Sequence, residues 1–141
     1  LSKAYGMAAI RLGICFASKS IIDVLKKIKP PYNINELTQQ RALKGLMNQE
    51  RVRLEVHEIL ADRISLEKTL QDVNFVKKVY PSDANFILAK VDDANKRYQQ
   101  LLDRGVVVRN RSTQPLCENT LRFTVGTKLE NQKLKSVLNQ L

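Results

Sequence analysis

The sequence lacks the features that mark several common protein classes. No stretch approaches the roughly 18 consecutive apolar residues that a membrane-spanning helix needs, and the first residues do not follow the charged-then-apolar plan of a signal peptide. The two cysteines, Cys15 and Cys117, have no metal-binding or redox spacing, so we interpret them as buried or half-buried free thiols of a cytosolic protein. Aromatic residues make up only 6% of the chain and no dense basic arm occurs. We therefore expect neither a membrane nor a nucleic-acid partner.

The chain is nevertheless strongly basic, with 24 lysines and arginines against 14 acidic residues and a net charge of +10. Such an excess of positive charge indicates a nucleic-acid partner, an anionic ligand, or a larger protein whose other part is acidic. The basic residues are spread along the whole sequence. The densest group, Lys26, Lys27 and Lys29, falls at the end of a predicted helix, where cations complement the helix dipole.

The part of the chain before Gln49 predicts one strand and two helices. The apolar run Arg11 to Ala17 predicts a buried strand. Ser20, followed by an acid three residues later, indicates a capping box for a helix that runs to about Lys29, where two prolines end it. Asn35 is a candidate N-cap for the next helix, in which Gly45 indicates a possible break.

A long helix is predicted from Gln49 to Val73. Its apolar residues recur mostly at three- and four-residue intervals, as expected for one buried stripe. The only histidine, His57, lies beside this stripe, and we interpret it as an ordinary helix residue rather than a catalytic base.

The last part of the chain predicts a β-β-α-β-β-α order. Two β-rich runs, NFVKKVYP and ANFILAKV, come first. Asp92 or Asp93 then caps a helix that ends at Gly105. The runs VVVRNR and LRFTV predict two more strands, and Thr127 with Glu130 indicates a capping box for the last helix. This order predicts an α+β layer, with helices on one face of a small, mostly antiparallel sheet.

Three residues near the amino end could act together chemically. Lys3 is flanked by small and apolar residues, and burial of such a lysine favours the neutral, nucleophilic amine. Arg11 offers a planar fork of donors for an anion, and Ser2 adds a hydroxyl. The set suits an aldehyde cofactor with a phosphate tail. On spacing alone, it is equally compatible with surface residues of a frayed terminus.

The segment SKAYGMAAIRLG resembles the lysine segment of fold-type-I aminotransferases, which reads S-K-x-x-G-x-x-G-x-R-x-G. This resemblance implies that Lys3 bonds covalently to pyridoxal 5'-phosphate (PLP) and that Ser2 and Arg11 bind the cofactor phosphate. The sequence departs from the pattern at its second glycine, where Ala9 stands. That change makes the backbone contact bulkier without removing a functional group.

Three further segments, KPPYNIN, YPSDANFIL and GVVVRNRSTQPLCENTLRFTVGT, resemble histidinol-phosphate aminotransferases, and the similarity extends over the whole chain. It implies that Arg122 binds a substrate carboxylate and that Arg111 binds the phosphate of histidinol phosphate, with Arg109 as the second choice. From the residues alone, Arg109 and Arg111 are two apart on a strand and share a face. Solvent-facing arginines are the alternative interpretation.

The resemblance also implies the organisation of the protein. The parent would be an α/β enzyme, with residues 1–48 as the end of the large PLP domain and a connector, 49–73 as an interdomain helix, and 74–141 as a small α+β domain. The implied substrates are L-histidinol phosphate, 2-oxoglutarate and glutamate, in a cytoplasmic homodimer of histidine biosynthesis. In the family other cofactor-binding residues precede the lysine segment, so we expect the isolated piece to be inactive.

Two other interpretations stay open at this point. One is a different fold-type-I PLP enzyme, such as an aromatic-amino-acid aminotransferase or a phosphothreonine-type decarboxylase. The other is a non-enzymatic basic binding module.

Overall fold

A computed structural model describes residues 1–141, which form two compact units, Leu1–Val56 and His57–Leu141. The boundary between them falls inside the long third helix. The predicted division into 1–48, 49–73 and 74–141 remains a prediction. The first unit contains a short 3-10 turn (Ala8–Ile10), helices α1 (Lys19–Ile28) and α2 (Glu36–Met47), and the beginning of α3 (Gln49–Asp72).

The predicted strand from Arg11 to Ala17 is wrong. The backbone there is irregular, and the side chains are mostly exposed, with Phe16 93% accessible. Cys15 lies in this run and is exposed, so the expectation that it is at least half-buried is wrong, whereas Cys117 is half-buried as expected. A strand is stable only when neighbouring strands pair with its N–H and C=O groups. The first unit contains no strand, so this apolar run has nothing to pair with.

Helix α1 begins earlier than the sequence predicted. Its N-cap is Ser18, whose side chain makes no capping hydrogen bond. Ser20 lies inside the first turn, with its hydroxyl 3.0 Å from that of Ser18. The capping box predicted at Ser20 is therefore wrong, although the helix ends ahead of the two prolines as expected.

Helix α2 has the predicted N-cap but no break. The side chain of Asn35 accepts a hydrogen bond from the Thr38 N–H at 2.8 Å. Gly45 lies within the helix and is buried. A Cβ atom there would lie 2.7 Å from the Met7 sulfur, so the glycine gives room to a packed methionine instead of ending the helix.

The second unit contains a four-stranded sheet and confirms the predicted β-β-α-β-β-α order. The bounds of its elements are β1 Val76–Val79, β2 Phe86–Val91, α4 Ala94–Asp103, β3 Arg109–Asn110, β4 Thr120–Thr124 and α5 Lys128–Leu138. The strands lie in the order β1-β2-β4-β3, and every neighbouring pair is antiparallel. Helix α4 connects β2 to β3, and α5 follows β4.

The core lies on one face of this sheet. Alternate residues of the two central strands point into it, and apolar residues of α3, α4 and α5 pack against them. The fully buried large side chains include Leu66, Leu70, Ile87, Leu101, Leu121, Phe123 and Leu138. The helices thus cover one face, as predicted for an α+β layer. The other face carries the alternate residues Phe86, Leu88, Lys90, Arg122 and Thr124.

The helix caps of this unit follow the predicted motifs. Asp93 accepts a hydrogen bond from the Lys96 N–H at 3.0 Å, and Gly105 has a φ of +68° after the end of α4. At the start of α5, the Thr127 N–H donates to the Glu130 carboxylate at 2.7 Å and Thr127 Oγ1 accepts from the Glu130 N–H. This bond from the Thr127 N–H holds the pKa of Glu130 below its usual value.

Two sets of polar contacts brace the helices. The Arg97 guanidinium donates to both carboxylate oxygens of Asp92, at 2.9 and 2.7 Å, and lies 4.4 Å from the centroid of the Phe75 ring. This bidentate pairing holds the pKa of Asp92 well below its usual value. Helices α3 and α5 are joined by three contacts, Glu58–Lys128 at 3.3 Å, Asp62–Asn131 at 3.0 Å and Ser65–Lys135 at 2.6 Å.

None of the five α-helices combines the length and the apolar composition that spanning a membrane requires.

Candidate functional site

The amino-terminal segment folds back on itself and gathers its polar residues. The Gly6 N–H donates to the Lys3 carbonyl at 2.8 Å, and Gly6 adopts a φ of +62°, which glycine accepts without strain. The Ala8–Ile10 turn follows, and Arg11 continues with a left-handed φ of +51°. These two reversals bring Arg11 back to Ser2 and Lys3. All three line one open cavity of about 500 Å³.

This cavity contains donors and no carboxylate. Tyr5 and small or apolar residues complete its lining. One terminal nitrogen of Arg11 donates to the Ala8 carbonyl at 2.9 Å, which orients the guanidinium and leaves its other N–H groups unpaired within the chain. Ser2 is half-buried, but Lys3 is exposed. The expectation that Lys3 is buried is therefore wrong for this chain, because the residues around it are themselves mostly open to solvent.

The three donors fit the groups that PLP presents. A lysine amine can bond to an aldehyde carbon, and a guanidinium and a hydroxyl can donate to a phosphate. The cavity volume also lies in the range of about 300–1,000 Å³ that is usual for small-molecule sites.

The second group of candidate residues lies in the second unit, on β3, β4 and the residues after β3. Arg122 is on a central strand and pairs with Leu88 on one side and Arg109 on the other. Its guanidinium lies 4.8 Å from the centroid of the Phe86 ring. The Arg122 Nε is buried and has no hydrogen-bond partner. The arginine is thus held against an aromatic ring with unmet donor capacity.

Arg109 and Arg111 lie side by side at the sheet edge. The Arg111 N–H donates to the Thr120 carbonyl at 2.9 Å, so strand-like pairing continues one residue beyond β3. Both side chains therefore share a face with Arg122, which lies directly opposite Arg109. Arg109 and Arg111 also line a common cavity of about 520 Å³, but Arg122 does not. The geometry brings Arg109 and Arg111 together and does not distinguish their roles.

Sequence reasoning missed Phe86 as a partner of Arg122. The two lie on neighbouring strands, and their proximity depends on the pairing of Phe86 with Thr124 and of Leu88 with Arg122. Alternation alone places Phe86 on one face of its strand without giving the register. Ser112 is a second omission, since its hydroxyl is buried and has no partner.

Comparison with known proteins gives consistent similarities. The family model of aminotransferase class I and II matches residues 1–141. The chain is 66% identical over 131 residues to histidinol-phosphate aminotransferase from Flavobacterium johnsoniae, which covers 93% of this chain and 38% of that protein. It spans about two fifths of the length of the curated relatives that it matches.

Solved structures agree with the sequence similarities. Histidinol-phosphate aminotransferase from Clostridium acetobutylicum aligns with a TM-score of 0.78 at 25% identity, over 87% of this chain and 38% of that one. Histidinol-phosphate aminotransferase from Sinorhizobium meliloti, solved in complex with PLP, aligns with a TM-score of 0.78 at 20% identity, over 99% of this chain and 39% of that one. At this identity the similarity shows the fold alone. The resemblance that the lysine segment carries is thereby confirmed, and the chain belongs to the class I and II aminotransferase family.

Proposed function

We propose that this chain is part of a PLP-dependent aminotransferase that moves an amino group between L-histidinol phosphate and 2-oxoglutarate, in histidine biosynthesis. The observation that carries the proposal is the cavity that Ser2, Lys3 and Arg11 share, in a chain 66% identical to a histidinol-phosphate aminotransferase. The non-enzymatic alternative gives no reason for a lysine, a hydroxyl and a guanidinium to surround one cavity.

In this proposal the first group holds the cofactor and moves a proton. The Lys3 Nζ is the attachment point, and when released it acts as the general base and acid at the substrate carbon. Ser2 and Arg11 donate to the phosphate, with Arg11 oriented by its bond to the Ala8 carbonyl. PLP supplies the electron sink that a transamination requires.

The second group would bind the anionic ends of the substrates. Arg122 suits a carboxylate, such as that of 2-oxoglutarate or glutamate, because its guanidinium is a planar fork of donors that rests against the Phe86 ring. Arg111 suits the phosphate of histidinol phosphate, with Arg109 as the second choice. None of the ion pairs in the chain includes any of these three arginines, so their charge is available to a ligand.

The proposal extends to the parent protein. It includes a cytoplasmic homodimer in which residues 1–48 complete the PLP domain, 49–73 form an interdomain helix and 74–141 form the small domain. The two free thiols, Cys15 and Cys117, are compatible with a reducing compartment. The isolated chain is proposed to be inactive, because it spans about two fifths of the relatives' length.

The test of Lys3 uses a complete polypeptide that contains this chain. PLP is added, the sample is reduced with borohydride, and the modified residue is located by mass spectrometry. We expect the label at Lys3, and we expect Lys3→Arg to abolish both label and transamination while the control Lys29→Arg retains both. Full activity of Lys3→Arg, or labelling elsewhere, contradicts the proposal. In the isolated chain we expect no stoichiometric label.

The arginine roles are tested by the kinetics of the same polypeptide. Arg111→Gln should raise the KM for histidinol phosphate by about tenfold or more while leaving the KM for 2-oxoglutarate within about twofold. Arg109→Gln is the matched control, and a larger effect from it would exchange the two roles. Arg122→Gln should weaken both substrates' half-reactions. Turnover of a phosphothreonine-type substrate in place of histidinol phosphate would favour the decarboxylase alternative.

A further inference from the structure

The sheet face that carries no helix is strongly positive. Lys90 and Arg122 lie on the two central strands, and both belong to the alternate set that points away from the core. The edge strands add cations in register with them. Lys78 is the Cα partner of Lys90, Arg109 is the Cα partner of Arg122, and Arg111 bonds to the Thr120 backbone. Five cations therefore occupy two adjacent cross-strand rows.

None of these cations forms an ion pair with a carboxylate of the chain. The four ion pairs of the chain lie elsewhere, and none includes a residue of this face. The four strands themselves contain no Asp or Glu. By contrast, Arg97 and Lys128, on the helices of the same unit, each have a carboxylate partner. The five cations of this face are thus unpaired within the chain.

Lys78 and Lys90 form a close pair within this surface. Residues directly opposite each other on antiparallel strands have Cβ atoms about 4.5–5.5 Å apart, and like charges in such a pair destabilise the sheet. The register is irregular between Val76 and Lys78, and Val76 and Val79 both pack against the core. Lys78 is held in place by Tyr80, whose ring centroid lies 4.9 Å from its Nζ.

The chemistry of the pair favours phosphate over carboxylate. An ammonium group acts as a compact point charge with three donors and no fixed plane, whereas the planar guanidinium is suited to bidentate carboxylates. Two ammonium groups on neighbouring strands can donate to different oxygens of one tetrahedral dianion. Such a ligand would also remove the repulsion between the lysines.

We propose that Lys78 and Lys90 form a phosphate-binding subsite, separate from the arginines assigned to the substrates, for inorganic phosphate or the phosphate group of a monoester. The proposed transaminase function gives neither lysine a role, and the subsite does not depend on that function. Arg111 lies in the same row but two strands away, beyond Thr120, so the two anion sites are distinguishable residue by residue.

The experiment is a phosphate titration of the 141-residue chain, followed by amide chemical shifts in ¹H–¹⁵N NMR spectra at low ionic strength. We expect saturable shifts at Lys78 and Lys90. The Lys78→Gln/Lys90→Gln variant should raise the apparent dissociation constant by about tenfold. The matched control is Lys26→Gln/Lys27→Gln, which removes the same charge from exposed positions on α1. This control should change the apparent dissociation constant for phosphate by less than about twofold.

The outcomes separate this subsite from the substrate site. If both double variants weaken phosphate binding equally, the effect is one of net charge only and the proposal is overturned. Phosphate-induced chemical shift changes confined to Arg109 and Arg111 would overturn it as well. Arg111→Gln should leave the shifts at Lys78 and Lys90 intact, whether or not the transaminase proposal holds. Repeating the titration with histidinol phosphate distinguishes the ligand sources, because a site for monoesters responds to it more strongly than to inorganic phosphate.

Discussion

Asn131 provides the sharpest test of how the second unit is held together. The side chain is 4% exposed and joins three parts of the structure. Its Nδ2 donates to the Gly126 carbonyl and to the Asp62 carboxylate, both at 3.0 Å, and its Oδ1 accepts from the Gly126 N–H at 2.9 Å. Asn131→Ala removes all three bonds and leaves their partners unsatisfied. At about 1 kcal/mol for each of the two neutral hydrogen bonds and about 2 kcal/mol for the bond to the carboxylate, we expect the free energy of unfolding to fall by about 4 kcal/mol.

A second variant tests the direction of these bonds. Asn131→Asp keeps the size and the acceptor for Gly126 but replaces the donor with a carboxylate facing Asp62. We expect a larger loss than for Asn131→Ala at about pH 8. The loss should shrink towards about pH 5, because the paired carboxylates can then share a proton.

The assay for both variants is urea unfolding followed by far-ultraviolet circular dichroism. The control is Asn139→Ala, at the exposed carboxyl end of the same helix, which should change the free energy of unfolding by no more than about 0.5 kcal/mol. The reasoning is refuted if Asn131→Ala loses less than about 1 kcal/mol, or if Asn131→Asp shows no dependence on pH.

Three further predictions concern local features of the same unit, and the same unfolding assay measures each of them. Because Arg97 lowers the pKa of Asp92, this pair stabilises the fold above about pH 4, and the stabilisation is lost as the pH falls further. Asp92→Asn should lower the free energy of unfolding by about 1 kcal/mol at pH 7, and this difference from the unsubstituted chain should shrink towards pH 2. A difference that stays constant with pH would contradict this. Thr127→Ala should cost about 1 kcal/mol by removing the cap of α5, while Thr127→Ser should retain most of it. Gly105→Ala should cost about 1 kcal/mol because of its φ of +68°, and an unchanged midpoint would show that the turn relaxes.

The features that the sequence predicted correctly are those fixed by residues close together in the chain. The capping box of Thr127 and Glu130 depends on two residues three apart, and the α3 prediction, Gln49 to Val73 against the observed Gln49–Asp72, depends on a helical repeat. The order of strands and helices in the second unit was also correct, because turn signals and caps separate its elements.

Most of the errors concern features that depend on distant residues; the exception is the capping box predicted at Ser20, a local motif that the structure does not form. The run from Arg11 to Ala17 has the composition of a strand, but the first unit contains no other strand to pair with it. Lys3 was expected to be buried on the composition of its own segment, but its side chain is exposed. The pairing of Arg109 with Arg122 depends on the register across the loop between β3 and β4, which alternation cannot supply.

The contacts between α3 and α5 bear on how the protein is made. They join residues separated by 69 or 70 positions, and α5 also supplies buried residues such as Leu134 and Leu138. During translation, at about 5–20 residues per second, α3 leaves the ribosome several seconds before α5. The surface of α3 that α5 covers in the folded unit is therefore open to solvent in the nascent chain during this interval.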